Sequence, residues 1–173
     1  MDRRAVVLGT LTAVTAGCTD RLHDVAASTP SNIDVRSRYV PDDPLVESES
    51  ITGHPASIET HVVSFRAVDR ATDALAPGSP DVREFVSGTD FVDDGGRFVL
   101  LVVQRLTSPA VDLRLGSVSR IGDRALRIAI DEVGTPRDAD PVVQTVLVRL
   151  ADARGPPERV TVSVESDRVS VTI

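Results

Sequence analysis

The sequence predicts a mainly β protein, folded as an antiparallel sandwich or an open barrel with one short helix. Hydrophobic residues make up 41% of the 173 residues but aromatic residues only 3%, so the core must be built from Val, Leu, Ile and Ala. Valine-rich cores favour sheet. Short segments also alternate apolar and polar residues, and turn signals separate them at the spacing typical of sandwich or barrel strands.

The first strand is predicted at Ile33, Val35 and Tyr39, and it ends at the turn residues Pro-Asp-Asp-Pro that follow. The β-branched segment 58–68 favours a second strand. Its apolar residues continue with a 3.6-residue period as far as Leu75, however, and this pattern leaves a helix open for the same segment.

One short helix is predicted at 81–87, after two prolines and a glycine that interrupt the preceding segment. Asp81 is of a residue type that caps helix N-termini. Val82, Phe85 and Val86 share one face of this helix, so that face is expected to pack on the core.

Two segments have the continuous apolar pattern of strands that are covered on both faces. Residues 98–103 are apolar at every position, and 142–150 are nearly so. The turn signal Asp-Asp-Gly-Gly at 93–96 precedes the first of them. We therefore predict that 98–103 lies at the centre of the sheet.

Two hairpins are predicted from alternating segments. Segments 111–115 and 126–130 flank a Gly-Asp turn, and segments 160–164 and 169–173 flank a short polar turn. Each of these strands is expected to bury one face and expose the other. Together the predicted elements form one β-rich domain over 33–173.

The chain opens with MDRRAVVLGTLTAVTAGC, which has the parts of a signal peptide. Arg3 and Arg4 supply the positive start, and the apolar run 5–14 is too short to span a bilayer, which takes about 20 residues. We predict a signal peptide at 1–17. The arginine pair, preceded by Asp2, also resembles a twin-arginine signal, which exports folded proteins.

The residues Thr15-Ala16-Gly17-Cys18 resemble a lipobox, with Thr15 where leucine is usual. The resemblance implies signal cleavage before Cys18 and a lipid on its thiol. A lone cysteine is otherwise a buried residue or a free thiol, but Cys18 lies in a polar junction that continues as a Ser-, Thr- and Pro-containing tether over 18–32. The expected location is the cell membrane, with the lipid as anchor and the domain facing the extracellular side.

The charge composition is acidic and contains no lysine. The net charge is −7, from 26 acidic residues and 19 basic residues that are all arginine. This composition resembles that of haloarchaeal proteins, in which carboxylates maintain solubility in high salt, although GC-rich coding alone could also remove lysine. No basic stripe is visible, so nucleic acid is not an expected partner.

No pattern in the sequence assigns a catalytic or metal-binding residue. The histidines His23, His54 and His61 are not grouped at ligand spacing. There is no Gly-x-Ser-x-Gly motif and no phosphate-binding glycine loop, so no cofactor is expected. Ser64 is close to His61 in sequence, but their odd spacing on a strand puts them on opposite faces.

Acidic residues offer two weaker interpretations. Asp131 or Glu132 could act as an acid or base with Asp112 across the first hairpin, yet exposed faces of antiparallel strands carry such residues by default. Several acidic groups lie at predicted turns without the alternating pattern of a calcium loop, and we interpret them as solvated turn residues. These groups are Asp42-Asp43, Asp93-Asp94 and Asp138 with Asp140.

Part of the chain, from about residue 85 to 165, is similar in strand order to a small exported β domain. That domain is known from accessory lipoproteins of a bacterial protease complex and from their archaeal look-alikes. The segments that carry the resemblance are Asp90-Phe91, 98–103, 113–130, 146–150 and Pro156-Pro157. Ser-Pro-Ala-Val at 108–111 stands where the family usually has Gly-Tyr, and no catalytic residue is carried over.

These observations lead to a functional expectation. The protein is expected to be a membrane-anchored, noncatalytic binding or accessory module that offers a sheet edge or loop end to an envelope protein. Two alternatives stay open at this point: an envelope hydrolase with an unrecognised site, and a structural envelope component. A pocket with converging titratable side chains would favour the enzyme, and an exposed apolar patch would favour the binding module.

Overall fold

The structure, a computed structural model, describes residues 29–173. Within this range eight strands form two four-stranded sheets that pack face to face, which confirms the prediction of a mainly β sandwich. The strands are β1 (Ile33–Val40), β2 (Thr60–Phe65), β3 (Val99–Thr107), β4 (Val111–Arg120), β5 (Ala125–Gly134), β6 (Val142–Asp152), β7 (Arg159–Val164) and β8 (Asp167–Thr172).

The two sheets differ in strand direction. The first sheet has the order β1-β6-β3-β2 and is antiparallel throughout. The second has the order β4-β5-β7-β8, and its β5–β7 pair is parallel. The antiparallel prediction is therefore wrong for this one pair. Because β6 crosses into the first sheet, the chain returns to the second sheet in the same direction as β5.

The core lies between the sheets and consists of inward-facing aliphatic residues from both. The prediction that 98–103 is central is confirmed, because β3 has strands on both sides and its first six residues are buried. Leu101 and Val103 face the second sheet, while Leu100 and Val102 face the opposite way. Burial on both faces explains why this segment is apolar at every position.

Two helices, α1 (Val68–Asp73) and α2 (Pro80–Ser87), cover the outer face of the first sheet. The prediction of one short helix is thus incomplete: the segment predicted as a strand with an open helical alternative contains both β2 and α1. Phe85 of α2 packs under the guanidinium of Arg149, whose carbon lies 3.9 Å from the ring centroid. This contact joins α2 to β6.

The caps of these helices differ from the predicted one. Ser79, not Asp81, is the N-cap of α2, and its hydroxyl accepts a hydrogen bond from the backbone N–H of Val82. Pro80 takes the first helical position, where its missing N–H costs nothing. The first N–H of α1, at Val68, donates to the carboxylate of Asp94 at 2.8 Å.

The turn at 93–96 and the turn after β7 lie where the sequence predicts them. A 3₁₀ turn (Val92–Asp94) ends at Gly95, whose φ of 87° favours glycine. The second hairpin has the two-residue loop Glu165-Ser166 and is tighter than the four-residue turn predicted. A further 3₁₀ turn is formed by Ile51–Gly53. Among residues 29–173, no helix is long and apolar enough to cross a membrane.

Replacing Gly134 with alanine is expected to destabilise the domain by about 2 kcal/mol. Gly134 ends β5 with a φ of 135°, and a Cβ there would overlap the backbone carbonyl of Ala110. Gly122→Ala is the matched control, because its Cβ would meet Ala125 at an ordinary 3.4 Å. Urea unfolding of both variants checks the prediction, and equal losses of stability would contradict it.

Candidate functional site

A cleft of about 700 Å³ lies along one side of the sandwich. We call it the β1–β4 cleft, because it lies between the edge strand of the first sheet and the edge strand of the second. Its volume is in the range of known ligand sites. Its lining residues are Ser37, Arg38, Tyr39, Val40, Pro41, Ser79, Asp81, Val82, Pro109, Asp112, Leu113 and Arg114.

The other side of the sandwich is closed. There the edge strands β2 and β8 lie against each other, and the Thr60 hydroxyl donates to Asp167 at 3.1 Å. Ser64 donates to the backbone carbonyl of Thr172 at 3.5 Å, near the opposite end of the same side. Of the two long sides of the sandwich, the β1–β4 side is therefore the more open.

Arg105 reinforces the closed side. Its side chain is only 11% exposed, and its guanidinium contacts Glu132 at 3.0 Å, Glu59 at 3.5 Å and Asp167. Burial by itself lowers the pKa of Arg105, but hydrogen bonds to Glu132 and Asp167 outweigh this effect and raise that pKa. Glu132 is thus a structural partner of Arg105 and does not form an acid–base pair with Asp112.

Tyr39, the one tyrosine of the sequence, is the aromatic residue of the cleft. Its hydroxyl donates to the side-chain oxygen of Gln144 at 2.6 Å. Burial, together with hydrogen bonding to Asp112 and the negative charge of that carboxylate, raises the pKa of Tyr39 to about 12. The phenol is therefore neutral at physiological pH, and its oxygen keeps lone pairs that can accept hydrogen bonds.

The charged residues of the cleft are not all paired with one another. Arg38 contacts Asp81 of α2 at 2.9 Å, so these two charges neutralise each other. Within the part of the chain that the structure describes, Asp112 has no arginine, lysine or histidine within 4.0 Å, and Arg114 has no carboxylate within that distance. Both belong to β4 and are exposed.

The outer edge of β4 offers backbone hydrogen-bonding groups. In the described range its only strand neighbour is β5, so alternate N–H and C=O groups on its other side point away from the sheet. A β-bulge at Gly116, between Leu115 and Ser117, interrupts the pairing. Bulges bend a strand, so the regular part of this edge is Val111 to Leu115. Residues 112–114 of it line the cleft, and the N–H of Val111 already donates to the carbonyl of Ser108 at 3.0 Å.

A second polar group lies on the outer face of the first sheet, beneath the segment 41–59, which we call the strap. Gln104 of β3 is fully buried there; it accepts a hydrogen bond from the N–H of Ile51 at 2.8 Å and donates to Asp43 at 2.7 Å. Asp43 also accepts a hydrogen bond from the hydroxyl of Ser50. Ser50 is itself fully buried, so this serine and aspartate hold the strap and do not face a substrate.

The two described histidines lie beside the strap. The ring of His61 on β2 contacts the backbone carbonyl of Glu49 at 3.0 Å, and its centroid lies 4.4 Å from that of His54. Ser64 points to the other face of β2, as the sequence predicts. Burial lowers the pKa of His61, and the charge of His54 adds to this effect against the opposing influence of Glu49.

Lowering the pH is expected to reduce the stability of the wild-type protein more than that of a variant that lacks His61. Because its pKa is lower in the folded state, the unfolded chain binds more protons at and below pH 6.5, and stability falls as the pH drops through that value. Thermal unfolding between pH 8 and 5.5 at fixed salt measures the effect. His61→Gln should have a flatter profile, and an unchanged slope would contradict this role for His61.

The residues predicted as export, cleavage and lipidation sites belong to the N-terminal segment of the chain. Arg3, Arg4, Ala16, Gly17 and Cys18 lie outside the described residues, as does His23. No group of three or more His, Cys, Asp or Glu residues between 29 and 173 is placed to hold a metal.

Of the acidic turn residues, Asp93 pairs with Arg66 at 2.8 Å and Asp94 caps α1, while Asp138 and Asp140 are exposed in a loop. The side-chain hydrogen bond to Arg66 lowers the pKa of Asp93. These residues have structural contacts or solvent exposure, and they do not converge on the cleft.

The cleft itself was not predicted, and the sequence signals only the buried polar contacts near it and under the strap. The two glutamines of the chain both interrupt valine-rich strands, at 104 and 144, and a buried amide needs a polar partner. Gln144 finds that partner in Tyr39.

Comparisons with protein-family models, with curated proteins and with solved structures give no match to this chain.

Proposed function

We propose that the protein is an extracytoplasmic lipoprotein that acts as a noncatalytic binding module in the cell envelope. In this proposal the signal at 1–17 directs export, and Cys18 carries the lipid that retains the protein at the membrane. The binding surface is the β1–β4 cleft, and the ligand is an extended segment of another envelope protein that adds to the edge of β4.

The observation that carries the proposal is the free edge of β4 beside the β1–β4 cleft. An extended peptide can add to such an edge through backbone hydrogen bonds, while alternate side chains enter neighbouring pockets. Exposed regular edges invite unwanted pairing, and proteins usually protect them. In this structure α1 and α2 cover the outer face of the first sheet, and β8 covers the edge of β2. None of these three elements covers the edge of β4 from Val111 to Leu115.

The composition supports the proposed setting. The lysine-free, acidic sequence suits a haloarchaeal envelope, and the similarity of the region 85–165 to accessory lipoproteins suits a role beside a larger envelope complex. The tether over 18–32 would give the domain reach above the lipid surface. A binding edge on the long side of the sandwich would then be accessible to neighbouring membrane proteins.

Site-specific photo-crosslinking in native membranes tests the proposal. A photoreactive phenylalanine replaces Arg114 on the edge of β4, and the matched control replaces Arg168, which is exposed on β8 at the closed side. We expect position 114 to crosslink to one segment of one envelope protein, located by peptide mass mapping. Crosslinks of equal yield from both positions, or none from position 114, would contradict the proposal.

A further inference from the structure

The charges of the cleft indicate which side chain of a docked segment it would select. Asp112 is exposed at the cleft and has no cationic partner among residues 29–173, whereas the neighbouring carboxylate of Asp81 is already paired with Arg38 at 2.9 Å. Asp112 interacts with the hydroxyl of Tyr39. That hydroxyl has one proton and two acceptors beside it, the Gln144 oxygen at 2.6 Å and the Asp112 carboxylate, while its own oxygen keeps lone pairs that can accept a hydrogen bond.

We infer that Asp112 and Tyr39 form a subsite for an arginine side chain of the segment that adds to β4. A carboxylate and a phenolic oxygen are both acceptors, and a guanidinium supplies several donors in one plane. The residue of an added strand directly opposite Asp112 has its Cβ about 5 Å away, within easy reach of this pair. This inference rests on the proposed docking of a strand at β4.

Arg114 is placed to select a second side chain of the docked segment. It is two residues from Asp112, so both side chains belong to the same face of β4. On the β5 side Asp131 is its cross-strand neighbour without an ion pair within 4.0 Å, and its other side is the free edge. Opposite charges directly across a strand pair stabilise pairing. The favoured antiparallel segment therefore carries an acidic residue two positions before its arginine.

Binding of a designed peptide tests this subsite. The probe is the capped, dye-labelled heptapeptide TVDVRVT, and its counterpart has citrulline, a neutral isostere, in place of arginine. Fluorescence anisotropy at a salt concentration that keeps the protein folded gives both affinities. We expect the wild-type protein to bind the arginine peptide about fivefold more tightly, as an ion pair at an exposed carboxylate implies.

Variants separate the subsite from the docking edge. Asp112→Asn should reduce the preference for arginine to about onefold while the citrulline peptide still binds, and Asp123→Asn, in the exposed turn between β4 and β5, should leave the preference intact. Tyr39→Phe should weaken the arginine peptide by about threefold and leave the citrulline peptide unchanged. Unchanged melting temperatures show that each variant is folded.

The possible results distinguish the two proposals. Equal affinity of the wild-type protein for both peptides would overturn the arginine subsite and leave strand addition standing. A lysine peptide that binds as tightly as the arginine peptide would show that a single positive charge suffices, which contradicts selection of a guanidinium. Failure of the wild-type protein to bind either peptide would contradict strand addition itself.

Discussion

Replacing Gln104 with leucine is expected to destabilise the protein by about 3 kcal/mol. The side chains have similar volumes, so the change removes polar contacts without leaving a large cavity. The N–H of buried Ile51 then loses its acceptor at 2.8 Å, and the half-buried carboxylate of Asp43 loses its bond from Gln104 at 2.7 Å while it keeps those from Ser50 and Leu45. Leaving such groups unsatisfied costs more than the hydrogen bonds contribute when they are formed. Denaturant unfolding at constant salt measures the loss.

The second glutamine provides the matched control. Gln144→Leu removes one hydrogen bond, from the Tyr39 hydroxyl, and that hydroxyl still has Asp112 beside it. We expect a loss of about 1 kcal/mol. If both leucine variants lost the same stability, the anchoring of the strap by Gln104 would not be the reason for its burial.

Replacing Cys18 with serine is expected to release most of the protein from the membrane. The thiol is the proposed site of lipid attachment, and each buried methylene of a lipid chain contributes roughly 0.8 kcal/mol to membrane retention. Serine has nearly the same size but cannot carry a thioether-linked lipid. Fractionation of cells into membranes and soluble material, followed by immunoblotting, measures the distribution.

Thr19→Ser is the control for this experiment, because it makes an equally small change at the adjacent residue and leaves the thiol in place. It should remain membrane-bound like the wild-type protein. A Cys18→Ser variant that stays wholly in the membrane fraction would contradict lipid anchoring at this position.

Local sequence patterns were sufficient to predict most strands, because burial imposes a period on each segment by itself. The continuous apolar run at 98–103 reflects the two-sided burial of β3, and the alternation at 111–115 and 126–130 reflects strands with one buried face. The segment 58–68 was ambiguous for a physical reason: β2 ends at Phe65 and α1 begins at Val68, so two periods meet within one apolar stretch.

The features that were missed depend on contacts between distant residues. Asp81 and Ser79 are both good capping residues, and the choice of Ser79 follows from the fixed backbone of Pro80. The parallel pairing of β5 with β7 depends on which sheet receives β6, and hairpin patterns do not encode that choice. The β1–β4 cleft brings together residues more than 70 positions apart, so no spacing in the sequence indicates it.

Amide hydrogen exchange measures whether a partner strand occupies the β4 edge in the envelope. The exchange rates of the segment 111–115 are compared between the protein in its native envelope fraction and the same protein purified in detergent at equal salt. We expect these amides to exchange at least about tenfold more slowly in the envelope, because a docked strand gives the edge groups partners. Equal rates in both samples, or slowing confined to β8, would contradict a binding function for this edge.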